Sequence, residues 1–188
     1  MYRFSDLIKR WSKHWALKLC LPFLMGSAVL GISALFGGAS FKAALLALSY
    51  AFTPAGRFAL LSAPFFGIPV SLAVASFLFM DFLTCIFIIW NFDLSKKIPF
   101  IGRIILILEK RAHTHLKKKR DVWVEGVEFF GIMTFVILPF WVTNAALGTI
   151  IGHIAGMKES HLLAAVLLGS FLGILMLAGP TWLLARLF

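Results

Sequence analysis

A chain of 188 residues that is 61% hydrophobic, with a mean hydropathy of +0.94, carries more apolar side chain than one domain of this size can bury. Its net charge of +10 does not mark a nucleic-acid platform, because the basic residues flank apolar spans instead of interleaving with aromatics on a polar face. The apolar runs are continuous rather than alternating and hold most of the 20 Phe, so a β-barrel is excluded and an all-α integral membrane protein remains.

Residues 1–18 set Phe4, Leu7, Ile8, Trp11 and Trp15 at helical spacing among basic residues. This predicts an N-terminal amphipathic helix lying on the membrane surface, with its Trp residues in the headgroup zone. The segment is too long and too aromatic for the basic start of a signal peptide, so residues 19–36 read as a retained helix closed by Gly37-Gly38. Residues 43–52 and 58–66 are each too short to span, and Pro54-Ala55-Gly56 parts them. The expectation is a broken or re-entrant hairpin over 43–66, with a half-helix starting after Arg57. Residues 70–92 are long enough to cross, with Asp81 near the middle.

Residues 93–121 hold nine Lys and Arg and form a basic cytoplasmic insert. The second half, 122–188, repeats the earlier logic. Residues 124–138 end at Pro139, a break follows, and 145–156 form a second short piece, giving a broken hairpin over 124–156. Residues 161–188 then supply one long helix with a kink expected at Gly179-Pro180. Gly67 and Asp81 are spaced as Gly156 and Ser170 are, which places a polar residue at similar depth in each half. The architecture expected is one membrane domain over 1–188, with about three full transmembrane helices and two broken hairpins. Paired interruptions of this kind point to an inverted repeat and a midplane site. With the N-terminus in the cytoplasm, 15 of the 18 Lys and Arg lie inside: five at the N-terminus, nine in the insert, and Lys158. This agrees with the positive-inside rule.

Past the basic insert come Val124-Glu125, Phe130-Gly131, Pro139, Thr143, Ala145 and Gly148. Their spacing resembles the small multi-drug export protein family, which has a basic insert, a V-E-x-Y-G segment and a Pro-Gly-rich break before an apolar half-helix. Upstream, Pro54-Ala55-Gly56-Arg57 and Met80-Asp81 occupy places where the family has a Pro break and a Gly-Asn pair. The family's second Pro and following Gly are Trp141 and Val142 here. The resemblance covers residues 45–185 and implies export through a prokaryotic cytoplasmic (inner) membrane. The family is in turn distantly similar to the DedA/SNARE-associated membrane proteins, which implies facing re-entrant hairpins and a lipid-carrier or scramblase-like function.

Asp81 is the sharpest candidate, since a carboxylate at bilayer depth faces protein or water. It is either a proton- or cation-coupling group or a carboxyl neutralised by a proton or tied to a hydroxyl such as that of Thr84. Arg57, at a break, either captures an anionic group or snorkels to headgroups. An Arg57–Asp81 pair serves either reading. Thr143 and Asn144 either line a substrate path or cap the helix that follows. Pro54, Gly56, Pro139 and Gly148 are read as helix breaks. Ser62, Ser170 and Thr181 are read as bonding back to their own helices. Lys117, Lys118, Lys119 and Arg120 are expected to contact anionic headgroups. Glu125 and Glu128 suit a solvated face. Cys20, Cys85 and the His residues show no metal spacing, and no catalytic motif is present, so no cofactor and no enzyme activity are expected. The leading function is a small secondary transporter or lipid translocator for an anionic or amphipathic substrate, proton-coupled through Asp81 and plausible as a homodimer. The alternative is a non-transporting membrane scaffold or accessory subunit whose basic insert binds anionic lipid or a protein partner.

Overall fold

Long apolar runs with few breakers form helices whatever solvates them, because only the helix satisfies every backbone group within one segment. A computed structural model describes residues 15–50, 56–95, 122–138 and 144–187, and all regular structure among them is helical. Six α-helices occur: α1 Trp15–Phe36, α2 Gly38–Tyr50, α3 Val70–Ser95, α4 Val122–Ile137, α5 Ala145–Ile154 and α6 Glu159–Ala185. Two 3-10 segments, Gly56–Ser62 and Pro64–Phe66, lie between α2 and α3.

Two stretches are long and apolar enough to cross a bilayer, Val70–Phe92 in α3 and Glu159–Ala185 in α6. The apolar part of α1, Cys20–Leu35, is shorter than that, so three full spans are not what these lengths give. Apolar residues run all the way round α3 and α6. Leu35, Val127, Phe23, Met176, Phe130 and Leu183 are each more than 60% exposed, a surface suited to lipid rather than water.

The helix α1 passes without interruption through the boundary expected at residue 18, where a surface helix was to give way to a spanning one. Pro22 lies inside it and has no N–H for the Lys18 carbonyl one turn back. Asn91 of α3 supplies the missing donor, its side-chain amide bonding that carbonyl at 3.1 Å. The helix α6 runs through Gly179 and Pro180 to Ala185.

Regular helix ends at Tyr50 and at Ile137, ahead of the two expected breaks. In the first, the segment after Arg57 is not the expected α half-helix. Pro64 has no N–H, so the 3-10 ladder is cut there into pieces of seven and three residues. In the second, α4 ends at Ile137 and α5 begins at Ala145. The next turns are alike in both halves. Gly67 and Gly156 have φ of 66° and 79°, and each donates to the carbonyl three residues back. The following residue, Ile68 or Met157, donates five residues back and buries its side chain. This is the Schellman turn, which needs the left-handed conformation that glycine adopts freely. Lys42 at the start of α2 donates to the Phe66 carbonyl at 3.3 Å, and Lys158 lies 3.5 Å from Glu125 at the start of α4. Each broken segment therefore ends beside its own beginning.

Two apolar clusters form the interior. One joins Ala43, Ala47, Leu60, Phe77 and Ile174, and the other joins Cys85, Ile132, Val136, Leu162 and Val166. Phe77 meets the level of Ile174, and Cys85 meets the level of Val166, so α3 and α6 run antiparallel. One helical turn from each cluster, between them, lie Asp81 and Ser170.

Candidate functional site

The centre is assembled by one side chain. Gly56, with φ of 54°, opens the first 3-10 segment and turns Arg57 inward. Arg57 is 2% exposed and Asp81 is 0% exposed, so neither reaches a headgroup region. Arg57 Nη2 donates to Asp81 Oδ2 at 2.8 Å and to Ser170 Oγ at 2.8 Å. Nη1 donates to the main-chain carbonyl of Val136. The Arg57 Nε is buried and has no hydrogen-bond partner among the described residues.

The Val136 carbonyl is accessible for a physical reason. The last four carbonyls of a helix have no partner within it, and α4 stops at Ile137. A guanidinium there also meets the negative end of the α4 dipole. Arg57 thus ties the first break, α3, α6 and the second break together. Its charge is matched by Asp81, and the remaining donors are spread over a hydroxyl and a carbonyl.

Close approach of α4 to α6 makes this reach possible. A Cβ on Gly169 would lie 2.6 Å from the Met133 carbonyl oxygen, and one on Gly173 would lie 3.0 Å from Arg57 Nη1. The pair forms a Gly-x-x-x-Gly seam, the small-residue spacing that lets membrane helices touch backbone to backbone. That seam and Ser170 are the parts that sequence reasoning missed. The sequence suggests that Ser170 bonds to its own helix; in the structure its hydroxyl accepts from Arg57. Its spacing from Gly156, equal to that of Asp81 from Gly67, was the available signal. The readings for Ser62 and Thr181 hold, with bonds to the Ala59 and Leu177 carbonyls. Thr84 bonds to the Met80 carbonyl, four residues back.

The other candidates fall apart from this centre. Asn144 caps α5, accepting from the Leu147 N–H at 2.9 Å. Gly148 is not a helix break. It lies inside α5, buried, where a Cβ would run into the Val136 side chain, so glycine serves close packing of α5 on α4. Thr149 donates to Cys85 Sγ at 3.2 Å and to the Ala145 carbonyl. Glu125 shares an exposed ion pair with Lys158, a contact worth little. Pro54, Pro139, Thr143 and the basic residues Lys117, Lys118, Lys119 and Arg120 lie outside the described residues. Among the described residues no group of His, Cys, Asp and Glu is placed to hold a metal.

A family model described as "Putative small multi-drug export protein" matches residues 54–176, a stretch that contains Arg57, Asp81, Val136 and Ser170. No curated protein and no solved structure matches the chain.

Proposed function

Because the chain belongs to the small multi-drug export protein family, we propose that it is a small helical membrane transporter whose transit site is the Arg57–Asp81–Ser170 centre, here in a closed arrangement. One observation carries this reading: a fully buried ion pair whose Arg57 also reaches the end of α4. Asp81 lies eleven residues into α3 and Ser170 eleven residues into α6, about 16 Å along each helix. In a hydrocarbon core of about 30 Å that is the middle. Charges there are costly, and a packed apolar pair would hold the helices at least as well. Retaining the pair makes sense if it opens.

The halves support a two-fold reading. Gly67 and Gly156, Val70 and Glu159, and Asp81 and Ser170 are each 89 positions apart. The same offset relates the buried pairs Ala47 and Val136, Leu60 and Thr149, and Phe77 and Val166. We read the two broken segments as re-entrant, each returning to the face it left, and the halves as an inverted repeat. The N-terminus is placed in the cytoplasm of a prokaryote, with the protein in its cytoplasmic membrane.

In this mechanism an anionic group of the substrate takes the place of the Asp81 carboxylate on Arg57. The unpartnered Nε adds a donor to the Nη atoms for bidentate binding. A proton taken up by Asp81 weakens its hold on Arg57 and couples the exchange to the proton gradient. Releasing Arg57 also frees the end of α4, so one side chain controls both breaks.

The test uses proteoliposomes containing a short-chain fluorescent phosphatidylglycerol and an internal pH dye. The wild type is expected to expose the probe to an external quencher faster than empty vesicles do, with proton movement. The double variant Arg57→Met/Asp81→Leu is expected to lose both signals. Flux equal to the wild type in that variant would leave the pair structural and move the transit path away from it, while wild-type flux no faster than that of empty vesicles would favour the scaffold reading. Absence of wild-type flux for this probe and for a fluorescent anionic detergent would count against transport of anionic amphiphiles.

A further inference from the structure

The apolar cluster around Cys85 contains a line of polar side chains that the transit centre does not use. Cys85 lies one turn beyond Asp81 on α3, and both are 0% exposed. Residues at that spacing share a helix face, with Cβ atoms about 5–6 Å apart. Thr149 of α5, also fully buried, donates to Cys85 Sγ at 3.2 Å. One turn further along α5 stands His153, half-buried, in the last turn of that helix. Its ring packs on Phe92 of α3, with centroids 4.0 Å apart. The Gly156 turn and the exposed Lys158 follow, on the face assigned above to the cytoplasm. Asp81, Cys85, Thr149 and His153 thus follow the α3–α5 interface from the ion pair to the end of α5.

Two features suit this line to carrying a proton. The Thr149 hydroxyl has one hydrogen and two acceptors within reach, Cys85 Sγ and the Ala145 carbonyl at 2.6 Å. Bonded to the carbonyl, it leaves its oxygen lone pairs open to a donor; turned to the sulfur, it passes the hydrogen bond on toward Asp81. A hydroxyl that faces either way is what a hop-and-turn relay requires. The line is also one-sided. On the other side of Asp81 the buried neighbours are Phe77, Ala73, Leu60 and Ala63. Beyond Ser170 on α6, the buried hydroxyl of Thr181 bonds to its own helix.

We infer that Cys85, Thr149 and His153 form the path by which Asp81 takes up a proton from the cytoplasmic side, its role in transport resting on the proton-coupled reading above. His153 is the entry group, because imidazole gains and loses a proton near neutral pH. It takes a proton from water at the rim. A ring proton then passes to the Thr149 oxygen as the Thr149 hydroxyl proton moves to Cys85 Sγ and the thiol proton moves to an Asp81 oxygen. Within each one-turn step, Asp81 to Cys85 and Thr149 to His153, a water molecule carries the proton across. Every relay group ends with the number of hydrogens it began with, and the net change is one proton on Asp81. A protonated Asp81 no longer offsets the Arg57 charge, so delivery along this path loosens the centre from one face only.

The test reads proton access at Cys85 directly. The full chain in lipid vesicles carries Cys20→Ser, since the exposed Cys20 is the other thiol of the chain. After transfer to heavy water, infrared spectroscopy follows conversion of the Cys85 S–H stretch to S–D, and mass spectrometry follows amide exchange in α3. The thiol is expected to exchange faster than the amides around it, which exchange only when the helix opens. Thr149→Val keeps the shape beside Cys85, and His153→Phe keeps a ring on Phe92. Each is expected to slow thiol exchange by about a hundredfold, the lower end of what a positioned acid–base side chain contributes. Loosened packing acts the other way, speeding thiol and amides together, so a misfolded variant does not mimic the result. Thr181→Val, on the apolar side, is expected to exchange as its parent does. Thiol exchange at the amide rate, or exchange that stays fast in either path variant, would overturn the path. The proteoliposome assay keeps the two readings apart. The expected exchange pattern without wild-type flux would overturn transport and leave the path, while flux with proton movement but a slow thiol would overturn the path alone.

Discussion

Replacing Asp81 by Asn tests how the buried charge is held. The substitution keeps the size of the side chain and one acceptor oxygen but leaves the Arg57 guanidinium, 2% exposed, without a counter-charge. Breaking a buried pair from one side costs about 3–5 kcal/mol. For a chain of this size that corresponds to a fall in melting temperature of roughly 6–20 °C. Ser170→Ala removes one neutral acceptor from the same Nη2 and should cost less, about 1.5–3 kcal/mol. The double variant Arg57→Met/Asp81→Leu removes both charges. It orphans the Val136 carbonyl, at about 1–3 kcal/mol, and relieves a desolvation penalty of about 1–4 kcal/mol. Its stability should therefore lie near that of the wild type. Thermal unfolding in a mild detergent, followed by far-ultraviolet dichroism, reads all four proteins. A double variant as unstable as Asp81→Asn would refute the reasoning, because the single-site loss would then not come from an uncompensated charge. So would a Ser170→Ala loss larger than that of Asp81→Asn.

The glycine seam gives a contrast between positions. Gly169→Ala puts a methyl against the Met133 carbonyl oxygen and should destabilise by about 1–3 kcal/mol, while Gly131→Ala, with nothing within 4 Å, should be neutral or gain up to about 1 kcal/mol; thermal unfolding compares them. Gly67→Ala meets no atoms, so its cost is the left-handed backbone alone, about 1–2 kcal/mol, and Gly67→Asn should recover part of it in the same assay. Asn144→Ala should cost about 1 kcal/mol by loss of the α5 cap, with Asn144→Asp close to wild type in stability and in proteoliposome flux; a flux loss in Asn144→Asp would assign the residue a role beyond capping.

Helix positions were legible because their cause is local. Uninterrupted apolar runs and the glycines at 37, 67 and 156 set where helices stop and start, and α3 begins at Val70 as the pattern predicts. The nature of the segment after Arg57 was less legible, because a 3-10 path and an α half-helix have the same apolar composition and differ only in which carbonyl each N–H reaches. Gly148 shows the same limit from the other side: a glycine after a break looks like a breaker in sequence, and only the nearness of Val136 shows that it serves packing.

By itself the sequence determined that this chain must be helical and that its solvent is lipid, because the apolar excess and the demand of every backbone group for a partner leave no other solution. It also marked Arg57 and Asp81 as charges out of place. Only the tertiary structure decided that they meet each other, with Ser170 and the Val136 carbonyl completing the set. Those partners lie 24, 79 and 113 residues from Arg57 along the chain. The approach of α4 to α6 over Gly169 and Gly173 brings two of them within reach, and no local pattern encodes such a distance.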